Sequence, residues 1–195
     1  MLNSHNHPTH IGGNAQFERV MCYENDDAVQ RLTRGYTHKE LEGFIIPEEI
    51  LEPPEDFPAD TFFIAGKAPT ATVEDGQIID LGNRLLEVMY TPGHDNTCIT
   101  LIDTQNGLLF TGDTWYPGWL YAFEDDSSLP DYLESMRKIE NVIQEKDIRW
   151  VYGSHNAILP DTDMVFETTA FFEDIMDEEL DDGCYRTPRY GIHSG

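Results

Sequence analysis

Cysteine is nearly missing from this chain of 195 residues: Cys22, Cys98 and Cys184 stand far apart, and no Cys-x-x-Cys pair occurs. An odd, scattered set excludes a disulfide framework and a cysteine-built zinc knot, and leaves buried or incidental thiols as the expectation. Positive charge is scarce too, with 12 Lys+Arg against 37 Asp+Glu and a formal net charge of -25. Such a balance repels phosphates before contact forms, which excludes nucleic acid and anionic membrane as general partners. It also suits high salt, where self-repulsion is screened. No apolar run approaches the ~20 residues that a membrane helix needs. The opening Met1-Leu2-Asn3-Ser4-His5 has neither the basic start nor the apolar stretch of a signal peptide, so a cytoplasmic address is expected. Internal repeats and low-complexity tracts are absent as well. What is present is a 39% hydrophobic and 11% aromatic content spread along the whole chain, enough to fill the core of a single domain over residues 1–195.

The coarse pattern is that of an α+β or α/β layered domain, with α+β the expected class. Residues 11–17 suggest a short helix, 19–23 a strand, and 27–34 a helix that stops at Gly35. Prolines 53, 54, 58 and 69 make 48–69 an extended connection, with one edge strand over 61–65. Strands follow over 77–81, 84–90, 97–103 and 108–111, with Asn106-Gly107 as a hairpin signal between the last two. Ser128-x-x-Asp131 opens a helix that carries Leu133, Met136, Ile139, Val142 and Ile143 at helical spacing. A last strand, 149–152, leads into Gly153-Ser154-His155. Residues 163–183 form an acidic C-terminal helix with Val165, Thr169, Phe172, Ile175 and Met176 on one face.

Four places combine metal-ligand side chains with a sharp turn. The first is His5-Asn6-His7-Pro8-Thr9-His10-Ile11-Gly12-Gly13, where alternate residues of an extended backbone let His5 and His7 grip one cation. The others are Thr91-Pro92-Gly93-His94, Thr111-Gly112-Asp113 and Gly153-Ser154-His155. Each of these three reads as apolar strand, glycine turn, ligand. Strands of one sheet can deliver such ends to a common edge, and imidazole with carboxylate suits zinc, iron or manganese.

In order and rhythm, from His5 to about His155, these motifs resemble the metallo-β-lactamase superfamily. The resemblance implies an αβ/βα sandwich with a metal site at one edge. By the same resemblance His5, His7 and His94 would hold a first metal, His10 and His155 a second, and Asp113 would bridge both and orient the nucleophile. Zinc is the expected cofactor, as one or two ions, with iron and manganese served by the same donors.

Two departures from the family pattern bear on function. Thr9 stands where the family has an aspartate; a hydroxyl is a weak ligand and a poor base, which should weaken the second site and slow a general-base step worth ~10²–10⁴-fold. The His-rich motif also begins at residue 5, where family members have several strands before it. An incomplete first sheet is therefore expected, explained by a fragment or mis-chosen start, by a partner chain such as a homo-oligomer that covers it, or by a reduced variant. The implied chemistry is hydrolysis, since the metal lowers the pKa of a water toward ~7 and polarises the substrate. The acidic surface and the lack of basic residues near the C-terminus before Arg186 leave a small ester, lactone, thioester or amide as substrate. Trp115 and Tyr116, just after a ligand, are candidates for a substrate pocket, with Tyr116 an oxyanion donor; the alternative is that they pack a loop. The competing function is a catalytically impaired or non-catalytic metal-binding or assembly protein of the same fold, motivated by Thr9.

Overall fold

The structure is a computed structural model; it describes residues 1–42, 57–58, 60–122, 126–156 and 162–177, and the backbone of 184–186. These fall into two compact units, Met1–Thr72 and Val73–Gly195.

The first unit runs α1 (Pro8–Ile11), a 3-10 turn (Asn14–Gln16), β1 (Met21–Tyr23), α2 (Asp26–Arg34), β2 (Gly35–Tyr36), α3 (His38–Leu41) and β3 (Ile64–Ala65). It closes on β4 (Ala71–Val73), which lies beside β1. The short helix expected over 11–17 is two pieces, because Pro8 starts α1 early and Gly12-Gly13 interrupts it. α2 has every local feature of a helix. Asn25 Oδ1 accepts from the Asp27 and Ala28 amides, Asp26 and Asp27 occupy the first turn, and Arg31 and Arg34 the last. Ala28 and Leu32, one turn apart, are its buried residues. They join Ile11, Val20, Cys22, Tyr36, Leu41 and Ile64 in the core of this unit. Burial pushes the Cys22 thiol up to about 11, as expected for an inert core residue. The edge strand predicted over 61–65 is shorter, Ile64–Ala65, and pairs antiparallel with β2. The extended connection over 48–69 lies in part outside the described residues.

The second unit is built on a five-stranded sheet in the order β10-β8-β7-β6-β5. Its strands are β5 (Ile78–Asp80), β6 (Leu85–Tyr90), β7 (Ile99–Asp103), β8 (Leu108–Gly112) and β10 (Trp150–Gly153). Neighbours are antiparallel except β8 and β10, which run parallel and therefore need a crossover. α4 (Leu129–Glu145) supplies it. The β7–β8 hairpin turns where the sequence predicts. Asp103 accepts from the Asn106 amide and side chain, and Gly107 takes φ 67°. Burial would raise the Asp103 pKa, but hydrogen bonds from Asn106 and Arg84 outweigh it and hold the carboxyl below its usual range.

One sheet face, with Ile102, Leu109 and Val151, packs on α4 and α5 (Asp163–Asp177). α4 buries Leu133, Met136, Ile139, Val142 and Ile143 as its spacing predicts, and Leu129 and Tyr132 besides. α5 buries Val165, Thr169, Phe172 and Ile175, whereas Met176, expected on that face, is exposed. The other sheet face is less covered: Phe110 and Tyr152 are half-buried and stack with centroids 5.4 Å apart, and Trp150 is exposed. A strand the sequence does not announce, β9 (Trp119–Tyr121), pairs antiparallel with β11 (Cys184–Arg186). Among the described residues, no helix is long and apolar enough to cross a membrane.

Candidate metal centre

In the first unit the three histidines of the opening motif come together. The His5 ring lies 4.7 Å from that of His7 and 4.0 Å from that of His10, measured between centroids. His5 is buried. The chain around them is held by polar contacts that the apolar pattern does not reveal. Asn3 and Asn14, both buried, exchange side-chain hydrogen bonds of 2.9 and 3.2 Å, and Asn3 Nδ2 also donates to the His10 carbonyl at 2.8 Å. The Tyr36 hydroxyl donates to the Asn6 carbonyl at 3.1 Å, so β2 supports the backbone between His5 and His7. Thr9 sits exposed on α1.

In the second unit His94, Asp113 and His155 converge from three strand ends. His94 follows β6 through Gly93, whose φ is 138° and whose added Cβ would stand 2.2 Å from Tyr132 Cα. Only glycine permits that approach, and it presses the turn onto α4. The Ser128 amide and the Ser127 hydroxyl then donate to the Gly93 and His94 carbonyls. Asp113 leaves β8 through Gly112, and the Tyr132 hydroxyl donates to its carbonyl at 3.0 Å. His155 leaves β10 through Gly153, where a Cβ would meet that of Tyr116 at 2.4 Å.

Asp113 Oδ2 is the focus of this half. His155 Nε2 is 3.1 Å from it and His94 Nε2 is 3.6 Å from it, with His94 and Asp113 both buried and His155 exposed. The hydrogen bond to Asp113 raises the His155 pKa against the opposing effect of burial. His94 Nδ1 is 3.0 Å from the Tyr121 carbonyl, an acceptor only, so Nδ1 carries a proton and Nε2 is the atom turned toward the carboxylate. In the neutral ring that Nε2 would offer a lone pair, and a lone pair and a carboxylate oxygen 3.6 Å apart suit a shared cation. Ligand bonds of ~2.0–2.2 Å at near-tetrahedral angles put donor atoms roughly 3.3–3.6 Å apart. The donor chemistry therefore fits a borderline divalent ion.

Trp115 and Tyr116 are both buried. The Trp115 indole donates to Thr168 Oγ1 on α5 at 3.1 Å and packs in the core, which leaves it no surface for a ligand. Tyr116 meets the His155 ring edge-on, centroids 5.0 Å apart. Sequence reasoning passed over Asp95, whose buried carboxylate accepts from the Thr97 amide and hydroxyl and shapes the turn after His94. The signal was there, since Asp-x-Thr is an Asx-turn pattern. Burial and the nearby Asp126 raise its pKa to about 7, against the Thr97 hydrogen bonds. Among the described residues, Cys98 is buried, and burial raises its thiol well above the usual value.

Mixed helices and sheets with imidazoles and one carboxylate on glycine turns at strand ends define an α+β protein of the metallo-β-lactamase fold. The model of the metallo-beta-lactamase superfamily matches residues 33–155, a span that includes His94, Asp113 and His155, and the chain belongs to that superfamily. It is 30% identical over 152 residues to the acyl-coenzyme A thioesterase MBLAC2 of Bos taurus, an overlap that covers 78% of this chain and 54% of that protein. An atrochrysone carboxyl ACP thioesterase of Aspergillus fumigatus is 28% identical over 87 residues, 45% of this chain and 25% of its own length. The chain thus spans about half the length, or less, of these relatives. Among solved structures, a metallo-beta-lactamase family protein from Thermus thermophilus superposes with a TM-score of 0.62 at 22% identity, covering 91% of this chain and 61% of that one. That likeness concerns the fold.

Proposed function

We propose that this chain is a metal-dependent hydrolase of thioesters. His5, His7 and His94 would hold one ion and His10 and His155 a second, with Asp113 available to both; zinc is the first candidate, and iron and manganese would suit the same donors. The observation that carries the reading is the opposition of the His94 and His155 Nε2 atoms to one buried carboxylate oxygen, Asp113 Oδ2. An ion held there supplies Lewis acidity and a water acidified toward neutral pH. The chain's own residues do the rest. Tyr121 fixes the His94 tautomer through its carbonyl, Tyr132 fixes the Asp113 backbone, and Tyr116 packs edge-on against the His155 ring. The thioester as substrate is supported by relatives whose names are thioesterases.

The test is metal content after zinc loading and removal of loose ions, followed by thioester hydrolysis with and without chelator. Close to two ions per chain with chelator-sensitive turnover is the expected result. A folded chain that retains no ion would overturn it. Thr9, exposed and without a carboxylate, favours the competing reading of a metal-binding protein with little or no catalysis. Thr9→Asp separates the two: a large gain in turnover marks an impaired enzyme, and no gain in a folded, metal-loaded protein marks the non-catalytic role.

A further inference from the structure

One hydroxyl in the first unit faces two of the clustered imidazoles. Ser4 Oγ is 3.1 Å from His5 Nδ1 and 3.4 Å from His10 Nδ1, between rings whose centroids are 4.0 Å apart. A serine oxygen has a single proton and two acceptor sites. If that proton went to either ring, the ring would have to carry its own proton on Nε2 and would lose the lone pair there. Both rings keep an Nε2 lone pair only when both Nδ1–H groups donate to Ser4 Oγ, and the oxygen has the two acceptor sites this requires. The Asn3–Asn14 pair and the Asn3 bond to the His10 carbonyl hold the backbone that brings the three side chains together.

We infer that Ser4 is a positioning residue of the metal centre: its oxygen accepts from Nδ1 of both His5 and His10 and sets both rings as Nε2 ligands. This rests on the metal-centre reading above and deepens it. Ser4 acts through the two rings and is not itself one of the proposed ligands. Partners of this outer kind are worth ~10–100-fold in metal affinity, and here one side chain serves two ligands.

The experiment is a cobalt(II) titration of the full chain against a competing chelator, followed by absorption, for the wild type and for Ser4→Ala, Ser4→Thr and His5→Ala. Thermal melts of the metal-free proteins accompany it. Ser4→Ala should bind cobalt ~10–100-fold more weakly at an unchanged metal-free melting point. Ser4→Thr, which keeps the hydroxyl, should recover most of the affinity. If Ser4→Ala binds as tightly as wild type while His5→Ala does not, the centre stands and the role of Ser4 falls. Equal losses in Ser4→Ala and Ser4→Thr with an intact fold would overturn it too. If wild type and His5→Ala bind cobalt equally poorly, the metal centre itself is wrong. Nitrogen NMR of the zinc-loaded wild type needs no variant: protonated Nδ1 on both His5 and His10 is expected, and protonated Nε2 on either ring contradicts the inference.

Discussion

Gly93 and Glu40 show how single residues set local structure, one in each unit. At Gly93 a side chain would collide with helix backbone, 2.2 Å from Tyr132 Cα and 2.5 Å from Tyr132 N, at a φ of 138° that only glycine adopts readily. Neither atom can move without shifting α4. Gly93→Ala should therefore cost ~3 kcal/mol or more, and urea denaturation would measure it. A loss under ~1 kcal/mol would show that the turn is looser than described. Glu40 caps α3 and accepts from Arg31 at 2.8 Å and from the Thr37 amide at 2.9 Å, with Arg34 at 2.9 Å. The hydrogen bond from Arg31 leads, followed by those from Thr37, in lowering its pKa from 4.5 to about 2. A lowered pKa means that folding favours the ionised form. The stabilisation is complete above the unfolded value of 4.5 and disappears as pH falls toward about 2. The pair is partly exposed and screened, so Glu40→Gln should cost only about 1 kcal/mol at neutral pH. The gap between variant and wild type should close below pH 4.5 in denaturation curves taken across that window.

At the scale of elements, the α4–α5 layer holds the turns that carry His94 and Asp113, because α4 carries the Tyr132 that donates to the Asp113 carbonyl and abuts Gly93. Phe172 on α5 is fully buried and meets the Tyr132 ring edge-on, centroids 5.0 Å apart. Phe172→Ala should lose ~3–5 kcal/mol, and by loosening Tyr132 it should also weaken metal retention in the folded fraction. Unchanged metal content at reduced stability would show that the layer supports the sheet but not the site. These long helices were legible from periodicity, and the hairpin from Asn106-Gly107, because repeated burial and turn chemistry leave marks at fixed spacing. The turns that bear His94, Asp113 and His155 were legible for a different reason: a glycine and then His or Asp just after an apolar strand is a local pattern. β2, β4 and β9 were not, since runs as short as Gly35–Tyr36 have no period to read. Trp115 was read from its place beside Asp113, whereas its fate was decided by packing against Thr168 on a helix distant in sequence. Ser4 and the Asn3–Asn14 pair escaped notice because hydrogen bonds between side chains follow from placement and leave no spacing rule.

Across the whole molecule, 37 acidic residues against 12 Lys+Arg mean that compaction works against unscreened repulsion. Salt acts in two directions. It weakens pairs such as Arg137–Glu173, 2.7 Å apart and half-exposed, and Lys146–Glu87 at 2.6 Å. Each such pair contributes ~0–1 kcal/mol, and only the few cations can form one. It also shortens the Debye length from roughly 10 Å at 0.1 M to about 3 Å at 1 M, which removes repulsion among many carboxylates at once. The excess of acids makes the second effect the larger. The melting point should therefore climb as potassium chloride rises from ~0.05 to ~1 M, steeply at first and then less, as screening saturates. A neutral osmolyte at matched osmolarity would not reproduce the early rise. A melting point that stays flat or falls would mean that the ion pairs outweigh the repulsion, and that the acidic surface is not what limits stability at low salt.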